Sequence, residues 1–248
     1  MLPRKYALAV ALLFTILVWV NYQFFYVHQN SRESAIVARV IDGDTFVLQD
    51  GRTVRLANIN TPEKGEKGYV EAKNFVRGLE NKSVELEVLG SDKYGRVIAR
   101  VYAPEYLNLE LIKLGLAKKF LVQSSEARVF DEAEREAINL GKGIWEKSEL
   151  FGCVEMGVNA KDEIVEIEVL CNTSALGEVW LSDESRKRFK LGLAGVIRVL
   201  VHSANGISNS SDVFLGARQN IWNDDRDTAY LFDNASRIIA FYSYGYTS

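Results

Sequence analysis

The stretch VIDGDTFVLQDGRTVRLANINTPE, residues 40–63, decides how this chain is read. Its apolar residues run and alternate as two β-strands, with Asp50-Gly51 between them as a two-residue hairpin turn. That turn predicts Gln49 opposite Arg52, Phe46 opposite Arg55 and Asp44 opposite Ala57, so that Asp44 and Arg55 lie diagonally on one face. NINTPE then delivers Asn60, the Thr61 carbonyl and Glu63 just past the strand, where Pro62 fixes the backbone as it leaves the sheet. Oxygen donors gathered at a strand end suit a hard cation such as calcium. The plainer reading is a salt bridge across a surface hairpin, worth under about 1 kcal/mol.

Working outward, residues 36–41, 45–49 and 53–59 predict a β-meander, and Ala72, Phe75, Val76 and Leu79 mark one face of a helix over 69–79. SVELEVL and VIARVYA are strands joined by the turn GSDKYGR, and helices follow over 107–114 and 125–140, each stopped by glycine. Five strands with helices attached predict a small closed barrel of OB type over residues 35–150. From Cys153 the texture changes to EIVEIEVL, EVWLSD, FKLG, VIRVLVH, DVFLG, TAYLFD and RIIAFYSY, separated by Gly, Asn, Asp and Ser. This predicts a sandwich of seven or eight strands over 151–248, joined without a long linker, so the fold class is mostly β with an α+β first domain.

At 248 residues and 48% hydrophobic content the chain can bury a core in each region. Net charge is plus two over 1–34, minus one over 35–150 and minus four over 151–248. No basic arm exists, so a grip on nucleic acid must come from a local patch and weaken steeply with salt. Residues 1–34 read as an anchor and spacer. Arg4 and Lys5 precede an uncharged run from Tyr6 to Val27, about 33 Å long as a helix, which predicts one transmembrane helix with a cytoplasmic N-terminus and the rest of the chain outside. A cleaved signal peptide is the alternative, though no small-x-small site follows the run. Cys153 and Cys171 are the only cysteines; outside the cytoplasm they suggest one disulfide closing a loop of about 18 residues, with two free thiols as the other reading.

VIDGDT, RLANINTPE and DKYGR, followed by LIKLGLAK and GIW, resemble the staphylococcal nuclease (thermonuclease) family in order and spacing over about residues 36–146. The resemblance implies a calcium-dependent phosphodiesterase on an OB barrel that cuts DNA and RNA, preferably single-stranded or frayed, with little sequence preference and leaves 3′-phosphates. It further implies Asp44, the residue at 60 and the Thr61 carbonyl as metal ligands, Arg55 and Arg96 on the phosphate, Glu63 as general base, and Lys93 and Tyr94 at a terminal phosphate. These roles are chemically coherent. Cationic groups aimed at the non-bridging oxygens stabilise charge that develops as water attacks, and arginine stays charged at any working pH.

Two departures stand out. Asn60 replaces the family's aspartate, which predicts weaker calcium binding through one lost negative charge. Leu121 stands where relatives place a stacking tyrosine, with Phe120 beside it. Residues 215–244 resemble the lamin-tail type of immunoglobulin-like domain, which implies a module without chemistry of its own, suited to an envelope partner. The expectation is a single-pass, membrane-anchored extracytoplasmic nuclease. The rivals are a non-catalytic OB module binding nucleic acid or another polyanion, and an adhesion or scaffold protein.

Overall fold

The structure, a computed structural model, describes residues 12–22, 32–172 and 176–246. Residues 12–22 are helical with their apolar side chains exposed. Much of the expected span at 6–27 lies outside the described residues, and among those described no helix is long and apolar enough to cross a membrane.

Strands β1 (Glu33–Val40), β2 (Thr45–Leu48) and β3 (Thr53–Leu56) form the meander, and β4 (Ile59–Asn60) is a short extension beyond it. Helix α1 (Tyr69–Arg77) follows, then β5 (Ser83–Ser91) and β6 (Val97–Tyr102). These close a barrel in the order β1-β2-β3-β6-β5, with only the β3–β6 pair parallel. Alternation explains the closure: Val54, Leu56, Val84, Leu86, Ala99 and Val101 point inward and are fully or almost fully buried.

The hairpin register differs from the expected one by a residue. Thr45 lies opposite Arg55 and Phe46 opposite Val54, because Leu48 N–H donates to Arg52 O at 2.9 Å and three residues, not two, make the loop. Gly51 takes φ +90°, and the Asp50 side chain accepts from Arg52 N–H at 3.0 Å. This is the longer hairpin loop with a left-handed glycine, selected here by the Asp50 side chain.

Helix α2 (Leu107–Lys113), the two-residue strand β7 (Lys118–Lys119) and α3 (Ala127–Asn139) pack outside the barrel. Strand β7 pairs with β4, placing Lys118 opposite Asn60. A 3₁₀ turn at Gly143–Trp145 ends this part.

The later residues form β8 (Val154–Asn159), β9 (Ile164–Val169), β10 (Glu178–Ser182), β11 (Arg188–Gly192), β12 (Arg198–His202), β13 (Asp212–Phe214), β14 (Asp227–Asp233) and β15 (Ile238–Tyr244). They make two four-stranded sheets, β11-β10-β14-β15 and β13-β12-β9-β8, around one apolar core. Cys153 and Cys171 form a disulfide with Cα atoms 5.2 Å apart.

The barrel and the sheets share buried surface. Trp145 stacks on Tyr230 at 5.1 Å between ring centroids, among Ala137, Ile138, Phe232 and Ile238. Tyr246 packs into the barrel's own core cluster. A buried polar network crosses the same junction. Lys119 Nζ, with no exposed side-chain surface, binds Asp131 at 2.6 Å, Glu134 at 2.9 Å and Ser243 at 3.1 Å, while Tyr230 OH donates to Glu134 at 2.8 Å. Each buried ring contributes about 1.5–3 kcal/mol, and the Lys119, Asp131, Glu134, Ser243 and Tyr230 side chains are all hydrogen-bonded to one another, so the two parts are held as one packed unit, with the Trp145 indole N–H left unpaired among the described residues.

Candidate active site

The loop from Ile41 to Asp44 and the segment from Ala57 to Glu63 meet at one end of the barrel. Gly43 is required there for space: a Cβ would fall 2.7 Å from Ala72 Cβ and 2.8 Å from Thr61 Oγ1. The approach puts the Asp44 carboxylate, 3% exposed, over the start of the Thr61 segment, where Oδ2 accepts from Thr61 N–H at 2.8 Å and Thr61 Oγ1 at 3.0 Å. Oδ1 accepts from Thr45 Oγ1 at 3.0 Å and lies 3.4 Å from Arg55 Nε. Burial pushes the Asp44 carboxyl up, but the Arg55 charge, the Thr61 amide and a further arginine outweigh it and hold it below its ordinary value. Asp42, beside it, is pushed up by burial and by the Asp44 charge.

Arg55 is largely committed to the protein. It donates to Leu56 O at 2.6 Å, Ile59 O at 2.8 Å and Asn60 Oδ1 at 2.6 Å, which fixes the exit of the chain from β3. Arg96 closes the turn Asp92–Arg96, where Asp92 accepts from Tyr94 N–H, Arg96 N–H and Arg96 Nε at 2.7–3.0 Å. DKYGR is therefore turn chemistry and a cleft wall at once. Tyr94 is exposed, with Lys93 Nζ 5.1 Å and Arg96 Cζ 5.7 Å from its ring centroid. A cleft of about 1380 Å³ gathers Asp44, Arg55, Asn60, Glu63, Lys93, Tyr94 and Arg96, with Phe120 and Leu121 on its edge.

The same cleft contains a residue that sequence reasoning missed. Arg186, from the turn between β10 and β11, places Nη2 2.8 Å from Asp44 Oδ2 and hydrogen-bonds Glu63 Oε1 through Nη1. The turn is tied down on its other side, where Asn60 Nδ2 donates to Glu184 O at 3.0 Å. Asn60 thereby has a structural reason to be an amide: an aspartate would lose that donor and face a carbonyl oxygen. The one available signal was SRKR at 185–188, a basic run within the most acidic part of the chain.

The expected metal donors do not fit a divalent ion while Arg186 is in place. Both Asp44 oxygens are taken by donors, and Asn60 Oδ1 is held by Arg55. An ion on Asp44 would repel the adjacent guanidinium by about 4 kcal/mol per unit-charge pair at 4 Å. Among the described residues no three His, Cys, Asp or Glu side chains cluster as a metal site.

A five-stranded closed barrel with a carboxylate–arginine cleft at one end defines the class as OB-like. A family model, Staphylococcal nuclease homologue, matches residues 53–147. A thermonuclease of Staphylococcus intermedius is 38% identical over 130 residues, covering 46% of this chain and 77% of that protein. An uncharacterized endonuclease of Escherichia coli is 30% identical over 122 residues, covering 44% of this chain and 74% of its own length. The chain belongs to the staphylococcal nuclease family.

Proposed function

We propose that this chain is a nuclease that hydrolyses phosphodiester bonds of DNA and RNA with little sequence preference. The observation that carries this reading is the convergence of Asp44, Arg55, Glu63, Lys93, Tyr94 and Arg96 on one cleft. In that cleft Arg96 and Lys93 offer charge to the phosphate, Tyr94 and Phe120 offer ring faces to bases, and Arg55 fixes the Asn60 segment that carries Glu63. Glu63 takes a proton from the attacking water as its oxygen bonds to phosphorus. The P–O5′ bond breaks, the 5′ oxygen takes up a proton from solvent as a hydroxyl, Glu63 returns its proton to solvent, and the phosphate stays on the 3′ side.

The calcium dependence implied by the resemblance stands against the donor set described above, and no step here is routed through a metal. The chain divides at about residue 150 into a nuclease barrel and a lamin-tail-like module, with residues 6–27 as a membrane anchor and the barrel outside the cytoplasm. The uncharged run at 6–27, the exposed apolar side chains of 12–22 and the Cys153–Cys171 disulfide support that placement.

The test incubates the full-length chain with end-labelled single-stranded DNA and RNA, and maps the product ends. Cleavage leaving 3′-phosphates, reduced by about 10²-fold or more in Glu63→Gln, is the expected outcome. Tight binding without cleavage would replace this reading with a binding module, and neither binding nor cleavage with a scaffold.

A further inference from the structure

We infer that Arg186 is the resident cation of this site, bridging Asp44 and Glu63 where the family pattern places a divalent ion and presenting the remaining N–H of its two Nη groups to the scissile phosphate. The inference rests on the nuclease reading and specifies how charge is supplied in it.

Three observations carry it. The first is the bridge itself: one planar fork holds two carboxylates 19 positions apart in sequence, one buried and one exposed, by charge-assisted bonds. Without that fork Asp44 would keep only Arg55 as a charged partner, and the Glu63 carboxylate would face an anionic substrate unpaired.

The second is the anchoring of the turn. Arg186 follows Glu184 by two residues, and Glu184 is 2% exposed, accepting from Tyr246 OH at 2.8 Å and Thr228 Oγ1 at 2.8 Å. Asp183, 3% exposed, closes the turn by accepting from Ser185 N–H at 3.0 Å. Such a turn cannot swing away without breaking the buried network, so a displaceable plug is the poorer account. Arg186 also holds φ at +76°, a left-handed conformation that is unfavourable for a side chain of its size and fits a residue whose placement matters.

The third is charge compensation. The position that would add negative charge is the neutral Asn60, and its amide binds the very turn that brings Arg186. Loss of one carboxylate and gain of one guanidinium make the site more positive by two charges than the family pattern. That balance suits a phosphate and disfavours a dication.

The test compares the full-length chain with Arg186→Ala, Arg186→Lys, Asn60→Asp/Arg186→Ala and, as a distant surface control, Arg198→Ala. Cleavage of single-stranded DNA is measured in calcium and in EDTA, and binding of calcium alone by calorimetry. Thermal melting checks that each variant folds. The expected results are equal cleavage by the wild type and Arg198→Ala in both conditions, and no calcium heat from the wild type. Arg186→Ala should lose about 10²-fold in EDTA, mainly in kcat, and Arg186→Lys should recover only part because a point charge cannot bridge two carboxylates. The double variant should gain measurable calcium binding. Wild-type cleavage abolished by EDTA together with calcium heat, or an Arg186→Ala enzyme faster than wild type in calcium, would overturn the inference while leaving the nuclease reading intact. A wild type inactive in both conditions would remove both.

Discussion

At the scale of single residues, position 43 shows how a missing side chain builds a site. Gly43 does not need its glycine for a left-handed backbone; it needs it because Thr61 and Ala72 occupy the space of a Cβ. Both neighbours are buried, and Thr61 supplies two of the hydrogen bonds to Asp44. Gly43→Ala is therefore expected to cost about 1–3 kcal/mol in denaturant unfolding and to lower cleavage by displacing Asp44; unchanged stability would show that the loop has room to yield. Asp44, Arg55 and Glu63 were legible from the sequence because their spacing along a short hairpin constrains where they can go. Arg186 was not, since no local period links it to a carboxylate 142 positions earlier.

At the scale of elements, two motifs that looked separate in the sequence prove to be one contact. Gly115 ends α2 at φ +67°, and its carbonyl accepts from Ile144 N–H at 2.9 Å. A Cβ on Gly115 would fall 2.3 Å from Lys142 O, and one on Gly143 would fall 2.2 Å from Gly115 O. LIKLGLAK and GIW are thus two sides of a backbone junction that sets where β7, and so Lys118 and Lys119, lies against β4. Gly115→Ala combines a forbidden contact with left-handed strain, and a loss of at least about 2 kcal/mol is expected in chemical denaturation. A smaller loss would mean that α2 and the 3₁₀ turn can separate. Helix limits were legible to within two or three residues, because amphipathic spacing and stop glycines are local signals. The hairpin register was misread by one residue because Asp50 and Gly51 suit loops of two or three residues equally, and strand β8 was missed because Gly157 interrupts its alternation.

At the scale of the whole molecule, the junction between barrel and sheets is titratable. Burial raises the Asp227 carboxyl from an ordinary value of 3.8 to about 7, outweighing the backbone amides that donate to it, and Asp183 adds in the same direction. Glu184 is raised by burial as well. Below the ordinary carboxylate range both folded and unfolded chains hold these protons. As pH climbs towards 7 the unfolded chain ionises first, so stability present at acid pH is lost, up to about 4 kcal/mol from Asp227, until the folded group ionises too. Thermal midpoints should fall between about pH 4 and pH 7, and Asp227→Asn should flatten that fall; a wild-type midpoint that rises over this interval would refute the assignment. Two apolar regions and a short join were readable from composition, but the shared core was not, because Trp145 and Tyr230 each look like ordinary core residues of their own part.

The position of Tyr246 bears on when the site comes into being. Its ring lies in the barrel core and its hydroxyl holds the turn that carries Arg186. A nascent chain paused near residue 150 has all five barrel strands but lacks that ring, the Glu184 anchor and the arginine bridging the carboxylates. Synthesis must run some two hundred residues past Asp44 before Tyr246 and Arg186 are both in place and the cleft is whole.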